Sequence, residues 1–347
     1  MTTDAKPQAP PGLPVQQMAA SAQPGWWHQA PPPPAARQLG QAWIVTDVGA
    51  VTAALAAPSL VVVPPHRPAG PAADILVRMA RFSNGSQHTR RRALVSGLLP
   101  PLASADRITS DRVNRRLRRR ALEFDAMPLA RTVPAEVLGI AMGLPPAQAE
   151  RAATLTGRLC DAVSGLQPPP VPDRADDAAA ELCALMSGLV ADNTETEGNV
   201  RVEATAAAVS ILFQARDAAA ALIGLSLAAG SGRLPADQPV DQVLRENAPV
   251  QCTRRRTTAA TAVGDTLIPA GADVWIFVAA AEQGSVIPAT FGCGPHACPA
   301  AAHAIAISRR FLLGLAAQGW RATPGQDVVL EDRPNIRCPR RVLVSRT

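Results

Sequence analysis

The segment FGCGPHACPA, Phe291 to Ala300, gathers two thiols, an imidazole and two glycines, with the small-residue run AAHAIAIS directly behind it. Residues of these types ligate soft metals, and two chemistries compete. A zinc site would draw on Cys293, His296, Cys298 and His303. Their spacing, C-x2-H-x-C-x4-H, is not that of common structural zinc modules, which set ligands in two separated pairs. His303 also lies in an alanine- and isoleucine-rich run, where a single histidine is more often packed than ligating. A haem thiolate asks for less: one cysteine on a tight loop with backbone N–H groups near sulfur, and a helix N-terminus behind it to steady the negative charge. Gly292 and Gly294 permit such a loop, Cys298 is expected to open the helix, and Pro299 suits its first position.

The elements that must carry this loop can be read along the chain. Residues 1–40 form a Pro/Ala/Gln-rich arm with the run Pro31–Pro34, too poor in buriable surface to order itself. WIVTDVGAVTAALAAP, from Trp43 to Pro58, reads as a strand, a turn at Asp47 and a helix ended by proline. A helical region follows from Ser86 to Asn193 with proline-rich joints. Val202–Gly232 has no internal proline and is apolar nearly all round, which predicts one long buried helix closed by Gly230 and Gly232. PVDQVLRENAPVQ reads as a helix stopped before Pro249. The β-branched stretch RRTTAATAVGDTLIPAGADVWIFVAAA reads as short strands joined by Val-Gly-Asp and Pro-Ala-Gly turns. The expectation is a mainly α protein with a small β part, in which residues 41–347 form one domain.

Composition narrows the classes. At 47% hydrophobic residues the chain can fill a substantial core. The net charge of +6 invites a nucleic-acid reading, but aromatics make up only 3%, so the bases would find few stacking partners. Lys6 is the only lysine, and so arginine supplies nearly all the positive charge, a coding bias that argues against assigning a role to every Arg. The densest run, RRLRRR from Arg115 to Arg120, reads as a solvated helix face, with docking of an acidic protein as the sharper option. The apolar run Val209–Phe213 is soon followed by Arg216 and Asp217, which argues against a membrane span. Six scattered cysteines without disulfide-type spacing point to a reduced, cytoplasmic setting.

F-G-x-G-x-H-x-C at Phe291–Cys298 resembles the haem-binding loop of cytochrome P450 enzymes of the soluble bacterial type. SQHTRRRALV resembles that family's HTRxR segment at His88 and Arg92. LARTVPAEVLGIAMGLPPAQ, Leu129 to Gln148, resembles one of its helix-turn units. LRENAPVQCTRRRTTA followed by IPAGADVWIFVAAA resembles the region after its ExxR helix, with Arg255 at the position of a second propionate arginine. These matches run in order over roughly residues 40–347, and on them the chain is identified as a shortened, divergent member of the family. The resemblance implies haem b (heme, thiolate-ligated iron) as cofactor, Cys298 as the metal ligand, and His296, His88, Arg92 and Arg255 around the propionates. It also implies Phe291 beside the sulfur, with Gly292 and Gly294 shaping the loop. Cys293 has no role in that pattern and reads as a small packed side chain.

Departures from the pattern are expected to matter. Few residues separate Asp217 from VDQVLR, and only GSVIPAT stands between IFVAAAEQ and the Cys loop, so helices and the meander are trimmed. Gln242 replaces the ExxR glutamate before Arg245; it can still hydrogen-bond a guanidinium, without charge assistance. On the long helix the family's acid–alcohol pair is reduced to Asp217 followed by Ala218, and Arg216 adds a charge to an otherwise apolar helix. Arg216 and Asp217 are therefore the candidate catalytic pair: Arg216 either binds a substrate carboxylate or an oxygen species, or faces solvent through a channel. The implied activity is oxidation of a small molecule of natural-product type in a bacterial context, a monooxygenase supplied by ferredoxin and ferredoxin reductase. The alternatives are a haem enzyme of other chemistry (peroxide-driven oxidation, dehydration, rearrangement or N-heteroatom chemistry) and a non-catalytic haem protein.

Overall fold

The computed structural model describes residues 35–64, 69–118, 120–164, 172–193, 198–230, 238–279, 289–333 and 335–346. Most of the Pro-rich arm, the proline joint at 165–171 and the stretch 280–288 lie outside them. Part of the presumed arm is structured: β1 (Ala36–Leu39), inside it, pairs antiparallel with β2 (Ala42–Val45). Ala36 of β1 and Ala42, Ile44 and Val45 of β2 are apolar and buried, which is reason enough for the hairpin to join the sheet.

After β2, Asp47 accepts a hydrogen bond from Ala50 N at 2.9 Å and so caps α1 (Val48–Ala56), as its place in the sequence predicts. β3 (Leu60–Val61), α2 (Pro71–Arg78), α3 (Gly85–Leu98) and α4 (Leu102–Leu117) follow. Next come β4 (Glu123–Asp125), α5 (Met127–Met142), α6 (Pro146–Ser164) and α7 (Pro172–Asn193). α5 ends at Gly143, whose φ of 118° lets its N–H close onto the carbonyls of Gly139 and Ile140.

The expected long helix is α8 (Asn199–Ala229), capped by Gly230. It is apolar all round because it is packed all round, touching α3, α5, α6, α7 and α9 (Gln238–Glu246) as well as α10 (Ala301–Ala317). By length and composition α8 could cross a membrane, as could the run Gly294–Ala317, but 78% of α8's apolar window is buried inside the protein. Nothing helical is described between α8 and α9, in keeping with the trimming read from the sequence. At the N-terminal side of α8, Glu203 is buried and paired with Arg90 (2.8 Å) and Arg91 (3.4 Å), which ties α3 to the central helix. Arg91 Nη1 also donates to Val77 O and Ser83 Oγ.

The β part is small and lies to one side. β5 (Thr253–Thr257) and β8 (Asp273–Ile276) complete a five-stranded sheet in the order β1-β2-β8-β5-β3, with only β2 and β8 parallel. β6 (Thr261–Val263) and β7 (Thr266–Ile268) form the hairpin predicted at Val-Gly-Asp, where Gly264 takes φ 60°. β4 joins β9 (Trp320–Ala322) through β10 (Leu343–Arg346) in a second sheet. The Gln242–Arg245 bond does not form: Gln242 Nε2 donates to Glu246 one turn on, and α9 is instead braced to α10 by Arg309–Asp241 at 2.7 Å. In the arginine run, Arg116 turns inward to Glu136 and Glu150, while Arg115 and Arg118 stay exposed.

Candidate haem-binding site

The Cys loop folds back on itself. Cys298 N donates to Phe291 O at 2.7 Å, and between them Gly292 and Gly294 take φ of 71° and 65°. Gly294 has a second reason to lack a side chain, since a Cβ there would lie 3.2 Å from Ala56 Cα and 3.3 Å from Leu55 O on α1. α10 starts later than expected. Its first residue is Ala301, so Cys298 and Pro299 sit in the turn before it, and Pro299 does not occupy the first helical position. The thiol still profits from that turn. Burial pushes Cys298 up from the ordinary thiol range, while a hydrogen bond from the Ala300 backbone and the guanidiniums of Arg92 and Arg81 pull the other way.

Cys298 and Phe291 face a cavity of about 600 Å³ enclosed by α3, α8, α10, the start of β5 and a loop near the C-terminus. Its walls are largely apolar, with Val95, Leu99, Leu222 and Ile307 among them, but one end is strongly cationic. There the rings of His88 and His296 meet at 4.0 Å with a 37° tilt. Burial, together with Arg92 and Arg255, lowers the pKa of His88. Burial, His88, Arg255 and Arg92 push His296 down to about 3, so both imidazoles are neutral at physiological pH. Arg255 is buried and pushed down to about 10 by desolvation and by Arg81, and among the described residues it donates to Thr253 Oγ1 and the Arg254 carbonyl. Arg92 lines the same cavity and makes no ion pair among the described residues. Arg81, which sequence reasoning missed, also lines it, but its side chain is exposed and its guanidinium lies over the Phe82 ring, 4.9 Å from the centroid.

Two guanidiniums, the buried Arg255 and the half-buried Arg92, thus face one apolar cavity with no carboxylate in ion-pair distance among the described residues. That is expensive unless an anion completes the set. A haem fits on both counts: its propionates answer the guanidiniums and imidazoles, and a single cysteine stands ready for its iron. The zinc set does not assemble. Cys293 Sγ turns away to Thr52 O on α1 at 3.6 Å, His303 Nε2 is bound to Pro100 O at 2.8 Å, and no metal-competent cluster of three ligands occurs among the described residues.

The α8 wall corrects one expectation. Gln214, Ala215, Asp217 and Ala218 line the cavity, whereas Arg216 does not. Arg216 points the other way, against Gly157 of α6, and is only 6% exposed; it reaches neither solvent nor the cavity. Its two amino groups are paired with Asp161 and Asp217, both at 2.8 Å. In this structure it braces α6 against α8. Asp217 is engaged on both oxygens, one by Arg216 and the other by Arg333 at 2.6 Å. Arg333, from the C-terminal loop, was invisible to motif reasoning. The only signal was an arginine flanked by Glu331, Asp332 and Pro334 in a stretch without periodicity.

No family model matches this sequence, and no curated protein does. Solved structures match well. The fold resembles CalO2 (TM-score 0.77, 18% identity, covering 93% of this chain and 94% of that one). It resembles P450BioI in complex with hexadec-9Z-enoic acid ligated acyl carrier protein (0.73, 16%, 88% and 92%). It also resembles CYP109E1 from Bacillus megaterium in complex with testosterone (0.72, 15%, 96% and 99%). The chain has the cytochrome P450 fold.

Proposed function

We propose that this chain is a haem-thiolate oxidoreductase acting on a small molecule. The observation that carries the proposal is the pairing of one loop cysteine, Cys298, with Arg92, Arg255 and the neutral His88–His296 pair around a single apolar cavity. In this reading Cys298 ligates iron, His88, His296, Arg92 and Arg255 hold the propionates, and Phe291 keeps water from the sulfur. Bound there, haem supplies the redox chemistry of a thiolate-ligated iron with dioxygen or peroxide as oxidant. The chain's own residues bind the substrate against the apolar wall of α8 and α10, orient it and limit water. Ferredoxin and its reductase are the electron donors this reading calls for. A cytoplasmic setting agrees with six cysteines that form no disulfide, and a bacterial natural-product substrate remains part of the proposal.

A second reading, chemistry other than monooxygenation, is favoured by α8. Ala218 has no hydroxyl, and both oxygens of Asp217 accept from guanidiniums, so neither member of an acid–alcohol relay is free. The test is turnover of one substrate with ferredoxin, its reductase and NADH against turnover with hydrogen peroxide, in the wild type and Ala218→Thr. Faster peroxide-driven turnover, unchanged by Ala218→Thr, supports the second reading. Ferredoxin-driven turnover that couples better in Ala218→Thr supports monooxygenation.

A further inference from the structure

Arg333 is held by an ion-pair ladder that crosses the fold. Asp161, Arg216, Asp217, Arg333, Glu331 and Arg131 alternate in sign, each paired with the next. Its loop is closed by bridges between Leu330 and Pro339 and between Val250 and Ile336. Within this frame Nη1 donates to Asp217 Oδ2 at 2.6 Å, and Nε stands 2.9 Å from Glu331 Oε2. Among the described residues neither Nε nor Nη2 has a hydrogen-bond partner, although Arg333 is only 8% exposed; Nε at least faces the Glu331 carboxylate, and Nη2 does not. Arg333 lines the cavity, so the spare donor of a fixed fork is left for whatever the cavity holds. Leaving a buried charged donor unpaired is costly, and burying it beside apolar walls makes an oxygen acceptor on the ligand the natural remedy.

We propose that the substrate of this site is a carboxylate with an otherwise apolar body, and that Arg333 Nη2 is the donor that recognises it. This rests on the haem-thiolate reading for the rest of the cavity. Arg333 is thus a specificity residue, doing what the sequence suggested for Arg216.

The test is equilibrium dialysis of the purified holoprotein near neutral pH with octanoic, decanoic and dodecanoic acids and with their methyl esters. For the best-bound chain length the acid should bind roughly 10- to 100-fold more tightly than its ester, the range of one charge-assisted bond to a buried donor. Arg333→Gln should abolish that preference, and Arg333→Lys should keep part of it. Arg216→Met, which breaks the ladder behind Arg333, should keep it. Equal binding of acid and ester by the wild type overturns the proposal, as does a preference that survives Arg333→Gln. If Arg333→Gln fails to fold, the wild-type ratio decides. A thiolate-type ferrous–CO band on the same sample tests the haem reading separately, because dialysis does not depend on it.

Discussion

Arg216→Met is the perturbation that distinguishes a bracing arginine from a catalytic one. The wild-type side chain is 6% exposed and bridges Asp161 on α6 to Asp217 on α8, at 2.8 Å to each. Methionine roughly conserves the apolar stem and removes the charge. Breaking a buried ion pair from one side costs about 3–5 kcal/mol, mostly because a charge is stranded. Two features lower that figure here: Asp217 keeps Arg333, and the Asp161 side chain is 34% exposed and can recover water. We expect a loss of about 2–3 kcal/mol, a fall in Tm on the order of 5 °C for a chain of this size. Removing the stranded charge as well, in Arg216→Met/Asp161→Asn, should restore part of it. The assay is thermal and urea unfolding of the holoprotein, beside its haem content and turnover. Turnover measured well below the melting temperature should stay within about threefold of wild type, since Arg216 does not reach the cavity. A variant that melts like wild type but loses turnover about 10²-fold would refute the bracing role and return Arg216 to the chemistry.

The stacked imidazoles set a pH dependence in the haem-free protein. His296 is pushed down to about 3, whereas an imidazole in the unfolded chain titrates near 6.5. Between those values the unfolded state binds a proton that the folded state refuses, so stability should fall as pH drops from about 6.5 toward 3. His296→Gln should flatten that fall, and a pH profile identical to wild type would show that the pair does not resist protonation. Gly294→Ala should cost about 1–3 kcal/mol and weaken haem retention, because it combines a positive φ with a Cβ pressed on Ala56 and Leu55. Gly40→Ala, at φ 60° with nothing within 4 Å, should cost about 1 kcal/mol or less, and equal losses at the two positions would remove the close-approach argument.

What the sequence disclosed, it disclosed through local signals. Asp47 as a cap, the proline-free length of α8, the glycine turns of the hairpin and the Phe291–Cys298 loop are all short-range patterns. His88 and Arg92 share one short motif, His296 and Arg255 sit in two others, and the fold brings the three motifs to one cavity. The errors fall where three-dimensional facing decides. A helix that is apolar on every side gives no phase, so nothing in Gln214–Ala218 tells that Arg216 looks toward α6 while Asp217 and Ala218 look into the cavity. Arg333 comes 116 residues after its partner Asp217 in the chain, on a loop with no periodic signal, and only folding joins them. Cys298 was expected to open α10 because proline suits a first helical turn, yet closure of the loop onto Phe291 holds it in the turn ahead.

The central claim is that Cys298 ligates haem iron. The measurement that tests it most directly is the ferrous–CO absorption spectrum of the purified wild type, Cys298→Ala and Cys293→Ala, with metal content determined on the same samples. The account predicts haem and a thiolate-type band in the wild type, loss of that band in Cys298→Ala, and its retention in Cys293→Ala, whose sulfur lies against Thr52 on α1. A band that survives Cys298→Ala, or a purified protein that carries zinc and no haem, would contradict it.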